Sequence, residues 1–241
     1  MNTPYLPHID GLRAVAVLAI LLFHLNVPGA QGGFLGVDIF FVISGFLITG
    51  QVSRLAVNGQ FSLINFYLRR ARRLLPALIA TLLVSMTVGL YVLSPHDLVL
   101  LAKSVLASEF FYSNLYFWST AGYFSDISQS NILLHTWSLA IEEQFYLIWP
   151  LLLLALIKGL TSGGRSWALL TLLAASVISS IWAAEAAPEA AFYLLPFRFH
   201  EFLMGALAYQ FSATYQRRLN AIGSWKLPAV GALLIVGSFF V

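Results

Sequence analysis

The chain has 241 residues, 59% of them hydrophobic and 10% charged, with a formal net charge of +3. Soluble domains carry about 25% charged residues, so a soluble globular class is excluded, and apolar stretches that are continuous rather than alternating exclude a transmembrane β-barrel. With no cysteine there is no disulfide, thiolate metal site or cysteine nucleophile. The basic residues stand at the ends of apolar spans, not in an aromatic-interleaved strip, which argues against a nucleic-acid partner.

Apolar stretches near or above about 18 residues predict an all-α, polytopic transmembrane bundle. The first span, about 10–27, contains "DGLRAVAVLAILLFHL" and ends at the Pro/Gly turn "NVPGAQGG". It lacks the basic start of a secretory signal, and further spans follow it. On an ideal helix Arg13 and His24 are about 20° apart in projection and roughly 16 Å apart along the axis. Asp10 falls within about 40° of the same line. Three ionisable groups on one stripe of an apolar helix indicate a lined polar path rather than lipid contact.

The second span, about 34–52, carries Asp38 early, placed to pair with Arg13, and then Ser44–Gly45, which suit close helix packing. "NFYLRRARRLLP" follows, with four arginines in five residues; Pro76 is expected near the start of a third span at about 75–93. Arg70 and Arg73, three apart, share a helical face and can form a forked donor set for a phosphorylated ligand, or a topogenic, lipid-facing cluster. The long aromatic connection after it is expected to lie partly at the membrane interface.

The fourth span, about 135–157, is "HTWSLAIEEQFYLIWPLLLLALI". Its adjacent Glu142 and Glu143 project about 100° apart, so one can face a cavity and the other a partner. His135 and Glu142 lack metal-site spacing, and no metal is expected. The fifth and sixth spans cover about 166–184 and 193–211; Arg198 and Glu201 in the sixth, at i and i+3, can form an internal ion pair. A seventh begins near Leu227, and the chain stops within it, which suggests missing C-terminal spans. A cytoplasmic N-terminus puts Arg54, the arginine cluster, Lys158 and Arg165 inside and Asp97, Glu109, Glu185 and Glu189 outside, as the positive-inside bias requires.

Read together, "YLPHIDGLRAVAVLAILLFHL" and "GGFLGVDIFFVISGFLI" resemble the start of the acyltransferase-3 family of integral membrane acyltransferases. "FYLRRARRLLPAL", "LLHTWSLAIEEQFYLIWP" and "RFHEFLMGAL" agree with it in order, so the resemblance covers nearly all of the chain as one membrane acyltransferase domain, 1–241. The branch looks like O-antigen and cell-envelope polysaccharide O-acetylases. The resemblance implies a bundle of about ten spans, about seven of them present, in a bacterial inner membrane. It also implies acetyl-CoA, or another acyl-CoA, as cytoplasmic donor, and an acceptor carbohydrate hydroxyl, including one on a lipid-linked sugar, on the opposite side of the bilayer.

Residue by residue, His24 matches the family's essential histidine, Arg13 its partner arginine, and Arg70 and Arg73 its donor-binding pair. Glu142 matches the acidic residue five after Trp137, Tyr146 belongs to the same motif, and Arg198 and Glu201 match its "RF.EF" element. Asp10 and Asp38 complete the polar path. Position 8 is His where the family often has Glu. The competing readings are a transporter or acyl-group exporter without catalysis, and an inactive paralogue. Intramembrane charges suit transport equally, although no inverted repeat is visible.

Overall fold

In the computed structural model, residues 7–121 and 131–221 are described, the latter with side chains to residue 212. All regular elements among the described residues are helices. They are α1 (Pro7–His24), a 3₁₀ turn (Gln31–Leu35) leading into α2 (Gly36–Val57), α3 (Leu63–Val92), α4 (Pro95–Glu109) and α5 (Ser113–Ala121), followed by α6 (Thr136–Gly159), α7 (Ser162–Ala186), α8 (Pro188–Tyr193) and α9 (Leu195–Ala221). Five segments are long and apolar enough to cross a membrane: α1, the 3₁₀ turn with α2, α3, α6 and α7. The expected sixth span is the 27-residue α9. Arg198, His200, Glu201 and Gln210 lower its hydropathy, and it is not one of the five. The expected seventh lies outside the described residues.

In α1, α3 and α7 only 17% of the most apolar window is buried. Leu18, Leu21, Leu83, Val84, Ile178 and Trp182 are exposed on those helices. Water would penalise apolar faces of that size, whereas hydrocarbon matches them. The protein is a multi-pass membrane protein.

The chain divides into two compact units, Met1–Arg54, Leu156–Ala174 and His200–Val241 in one, Leu55–Ala155 and Ala175–Phe199 in the other. In the first, the 3₁₀ turn backs onto α1 at buried Ala16 and Ala19, so closely that a Cβ on Gly33 would strike the Ala19 carbonyl. Helices α2 and α9 cross at two glycines. A Cβ on Gly45 would meet the Phe202 carbonyl, and one on Gly205 the Val42 carbonyl. Backbone approach of this kind replaces the missing hydrophobic drive between helices in lipid with dispersion contact. Around the crossing, Phe41 stacks on Phe202 at 4.7 Å and Phe46 meets Tyr209 edge-on at 5.7 Å. Gln210 Nε2 donates to Ser166 Oγ at 2.6 Å, joining α9 to α7.

In the second unit, Leu78 and Leu82 of α3 pack with Leu101 of α4 and Leu133. Helix α3 departs from the sequence reading. Its first turn is capped by Ser62, whose Oγ accepts from Asn65 N at 3.3 Å, and it runs unbroken through Pro76. Proline removes one backbone donor but does not by itself end a helix that packing supports. The arginine cluster, read as helical from its spacing, therefore lies on the same continuous helix as the third span. The described part of the aromatic connection, up to residue 121, contains α4 and α5, tied down by polar contacts. Asn114, fully buried, donates to Tyr193 O at 3.0 Å and exchanges amide hydrogen bonds with Gln144. Ser108 and Thr136 hydroxyls bond at 2.8 Å, and Ser113 Oγ donates to Thr136 O at 2.9 Å.

Candidate functional site

The polar stripe of α1 belongs to the first unit. Asp10, Arg13 and His24 stand on one continuous helix, as the spacing predicts. Arg13 Nη1 reaches Asp10 Oδ1 at 3.5 Å, one turn earlier on the same helix, in place of the expected partner Asp38. Neighbours on one helix meet without any tertiary arrangement, whereas Asp38, half-buried early in α2, depends on helix placement. His24 closes α1, its Nδ1 2.8 Å from the Ile20 carbonyl and its ring edge-on to Phe23 at 5.3 Å. A carbonyl only accepts, so Nδ1 carries the proton of the neutral imidazole, and Nε2 keeps its lone pair. His24 is exposed at the end of α1.

In the second unit the motifs "FYLRRARR" and "WSLAIEEQFY" meet where α3 packs on α6. Tyr67 OH donates to Leu147 O at 3.0 Å, fixing the register of the two helices. Arg70 then lies with its guanidinium carbon 3.2 Å from the centre of the Tyr146 ring and 5.9 Å from that of Phe66. Its Nη2 is 3.7 Å from Glu143 Oε1. Tyr146, buried, donates its hydroxyl to Glu142 Oε1 one turn back on α6. Arg70, Glu142, Glu143 and Tyr146 thus form one cluster.

Arg73 does not join it. It is exposed, together with Arg69 and Arg72. Three residues on a helix turn about 300°, and that offset is enough to separate an inward arginine from an outward one.

Arg198 extends from α9 over aromatic rings. Its guanidinium lies 5.1 Å from the centre of the Phe192 ring and 5.8 Å from that of Trp137, and Nε donates to Phe192 O at 3.2 Å. Trp137 in turn packs on Phe192 at 4.5 Å and Tyr193 at 5.8 Å. Glu201 falls in the other unit, buried, with His200 Nε2 3.9 Å from its Oε1. Sequence reasoning passed over His200, Phe66, Asn114 and Gln144. Phe66, Gln144 and His200 stand within motifs already singled out and Asn114 within the aromatic connection, but helical period alone does not say which faces are shared.

Comparison with known sequences places this histidine-bearing first helix and this arginine–carboxylate cluster in a known membrane-protein family. The family model for the acyltransferase-3 acyltransferase domain matches residues 6–241, and the chain belongs to that family. It is 45% identical over 156 residues to the peptidoglycan O-acetyltransferase OatA of Listeria monocytogenes, covering 64% of this chain and 25% of that protein. It is 40% identical over 207 residues to YrhL of Bacillus subtilis, provisionally named a peptidoglycan O-acetyltransferase, covering 83% of this chain and 32% of that protein. A Staphylococcus aureus protein provisionally named an O-acetyltransferase is 44% identical over 155 residues, covering 64% of this chain and 25% of that protein. The chain thus spans a quarter to a third of the length of these relatives. No solved structure matches it.

Proposed function

We propose that the protein is an integral membrane O-acetyltransferase that moves an acetyl group from cytoplasmic acetyl-CoA to a hydroxyl of a cell-envelope carbohydrate. Family membership and the names of the relatives support acyl transfer, and those names favour peptidoglycan over lipopolysaccharide as the acceptor class. The observation that carries the mechanism is the hydrogen bond from His24 Nδ1 to the Ile20 carbonyl. It presents Nε2 as a base.

In this reading Nε2 takes the proton of the acceptor hydroxyl as its oxygen attacks the thioester carbonyl carbon. The new C–O bond forms, the C–S bond breaks, and the proton passes on to the departing CoA thiolate. Arg13, its charge partly balanced by Asp10, shapes the polar path along α1, and turnover also depends on the Glu142 carboxylate. The exposed arginines of α3, Arg73 among them, meet the donor's phosphates, which guanidinium geometry suits. The positive-inside bias puts those arginines, and the N-terminus, on the cytoplasmic side of a bacterial inner membrane.

The test is acetyl transfer by the full-length protein in membranes, read by mass spectrometry of envelope glycans. His24→Ala is expected to lower turnover by about 10²- to 10⁴-fold, the range for losing a general base. Unchanged turnover would remove His24 from the reaction.

A further inference from the structure

The two arginines that the sequence pairs have different surroundings. Arg70 is committed. One face of its guanidinium covers the Tyr146 ring at 3.2 Å, and Nη2 reaches Glu143 at 3.7 Å. Its Nε is buried without a hydrogen-bond partner. Only 27% of the Arg70 side chain and 18% of the Glu143 side chain are exposed. A phosphate drawn to Arg70 would compete with a carboxylate already there and would have to open a stacked contact. Arg73 is exposed and faces no such competition.

The one polar atom of Tyr146, its hydroxyl, donates to Glu142. Tyr146 is 3% exposed and its ring is covered by Arg70, so the direction of its hydroxyl depends on what holds the ring. Glu142 and Glu143 are adjacent and repel one another. The cluster answers both, Glu143 with the guanidinium and Glu142 with the phenol. The connection runs from α3 to α6: Arg70 fixes Tyr146, and Tyr146 fixes Glu142.

We infer that Arg70 is a positioning residue that holds Glu142 in place through Tyr146, and is not a ligand of the donor's phosphates. This rests on the acetyltransferase reading above and deepens it. It divides the arginine pair by role, leaving phosphate contact to the exposed arginines.

The experiment titrates acetyl-CoA against the full-length protein in membranes, for unsubstituted protein, Tyr146→Phe, Arg70→Gln, the double variant and Arg73→Gln, with turnover normalised to protein present. Tyr146→Phe keeps the ring beneath the guanidinium and deletes only the hydroxyl. A hydrogen bond to a charged group is worth enough for about a tenfold loss, so Tyr146→Phe and Arg70→Gln should each lower kcat about tenfold with the acetyl-CoA KM nearly unchanged. The double variant should be no worse than the poorer single one, because both break one connection. Arg73→Gln should instead raise KM. The inference is overturned if Arg70→Gln raises the acetyl-CoA KM at unchanged kcat, or if Tyr146→Phe turns over at the full rate. Should Arg70→Gln not accumulate in the membrane, Tyr146→Phe decides alone. Absence of acetyl-CoA-dependent transfer by the unsubstituted protein is a separate result, which overturns the acetyltransferase reading beneath.

Discussion

At the scale of single residues, the ion pair between Arg70 and Glu143 allows a stability prediction independent of any activity. Removing one partner of a buried pair strands the other, at a cost of about 3–5 kcal/mol when burial is complete. These side chains keep 27% and 18% exposure, so a smaller loss applies. Glu143→Gln should lower the stability of the protein in detergent by about 2 kcal/mol, because the stranded guanidinium is partly solvated. Arg73→Gln, at an exposed position, should shift it by less than about 0.5 kcal/mol. Thermal unfolding of the two variants side by side checks both. Equal effects would mean that the Arg70–Glu143 contact contributes nothing specific.

The stripe on α1 was legible in the sequence because 3.6-residue periodicity fixes which side chains share a line. The partner of Arg13 was not, since Asp10 and Asp38 are both chemically suitable and only geometry chooses between them. The same applies to the adjacent glutamates. Their 100° divergence predicts different surroundings but not which carboxylate meets an arginine from another helix.

At the scale of elements, the crossing of α2 and α9 depends on Gly45 and Gly205, each facing a backbone carbonyl of the other helix. Backbone cannot rotate away as a side chain can, so added volume must separate the helices. Gly45→Ala should destabilise the protein by about 1–3 kcal/mol, the usual cost of overpacking, and thermal unfolding should show it. Gly11→Ala is the matched control, as a Cβ there meets nothing within 4 Å. An equal loss at both sites would mean that the crossing is not the cause.

The start of α4 is a capping arrangement outside the membrane-spanning helices. Ser94 Oγ accepts from Asp97 N at 3.2 Å and donates to Asp97 Oδ2 at 2.7 Å, with Pro95 at the first helical position. The Ser94 hydroxyl, followed by His96, holds the Asp97 carboxyl below its ordinary value. For a carboxylate whose folded pKa is depressed, the contribution is present above the unfolded pKa and lost as pH falls through the folded one. Ser94→Ala should therefore move the Asp97 midpoint upward in a carbon-13 titration. That an aromatic connection follows the third span was legible in the sequence. The continuity of α3 through Pro76 was not, because a local rule against proline was overruled by packing along the rest of the helix.

At the scale of the whole molecule, the absence of cysteine makes the orientation directly measurable. Gln60 and Asp97 are both exposed and stand before and after α3. Single Gln60→Cys and Asp97→Cys variants should react with a membrane-impermeant maleimide from opposite faces, Asp97→Cys in intact cells and Gln60→Cys only after the membrane is opened. The reverse pattern would place the arginine cluster outside and remove it from contact with a cytoplasmic donor.

The sequence by itself determined the membrane class, the apolar spans and the residue types on each, because apolar length and helical period are local properties set by the bilayer and the backbone. It also carried the family's motifs in order. Tertiary structure alone decided the partners. It set Arg70 against Glu143 and Tyr146 while leaving Arg73 exposed, and brought Gly45 and Gly205 against facing backbone. Those choices turn on the rotation and register of one helix against another, which the packing of whole helices fixes and no single segment encodes.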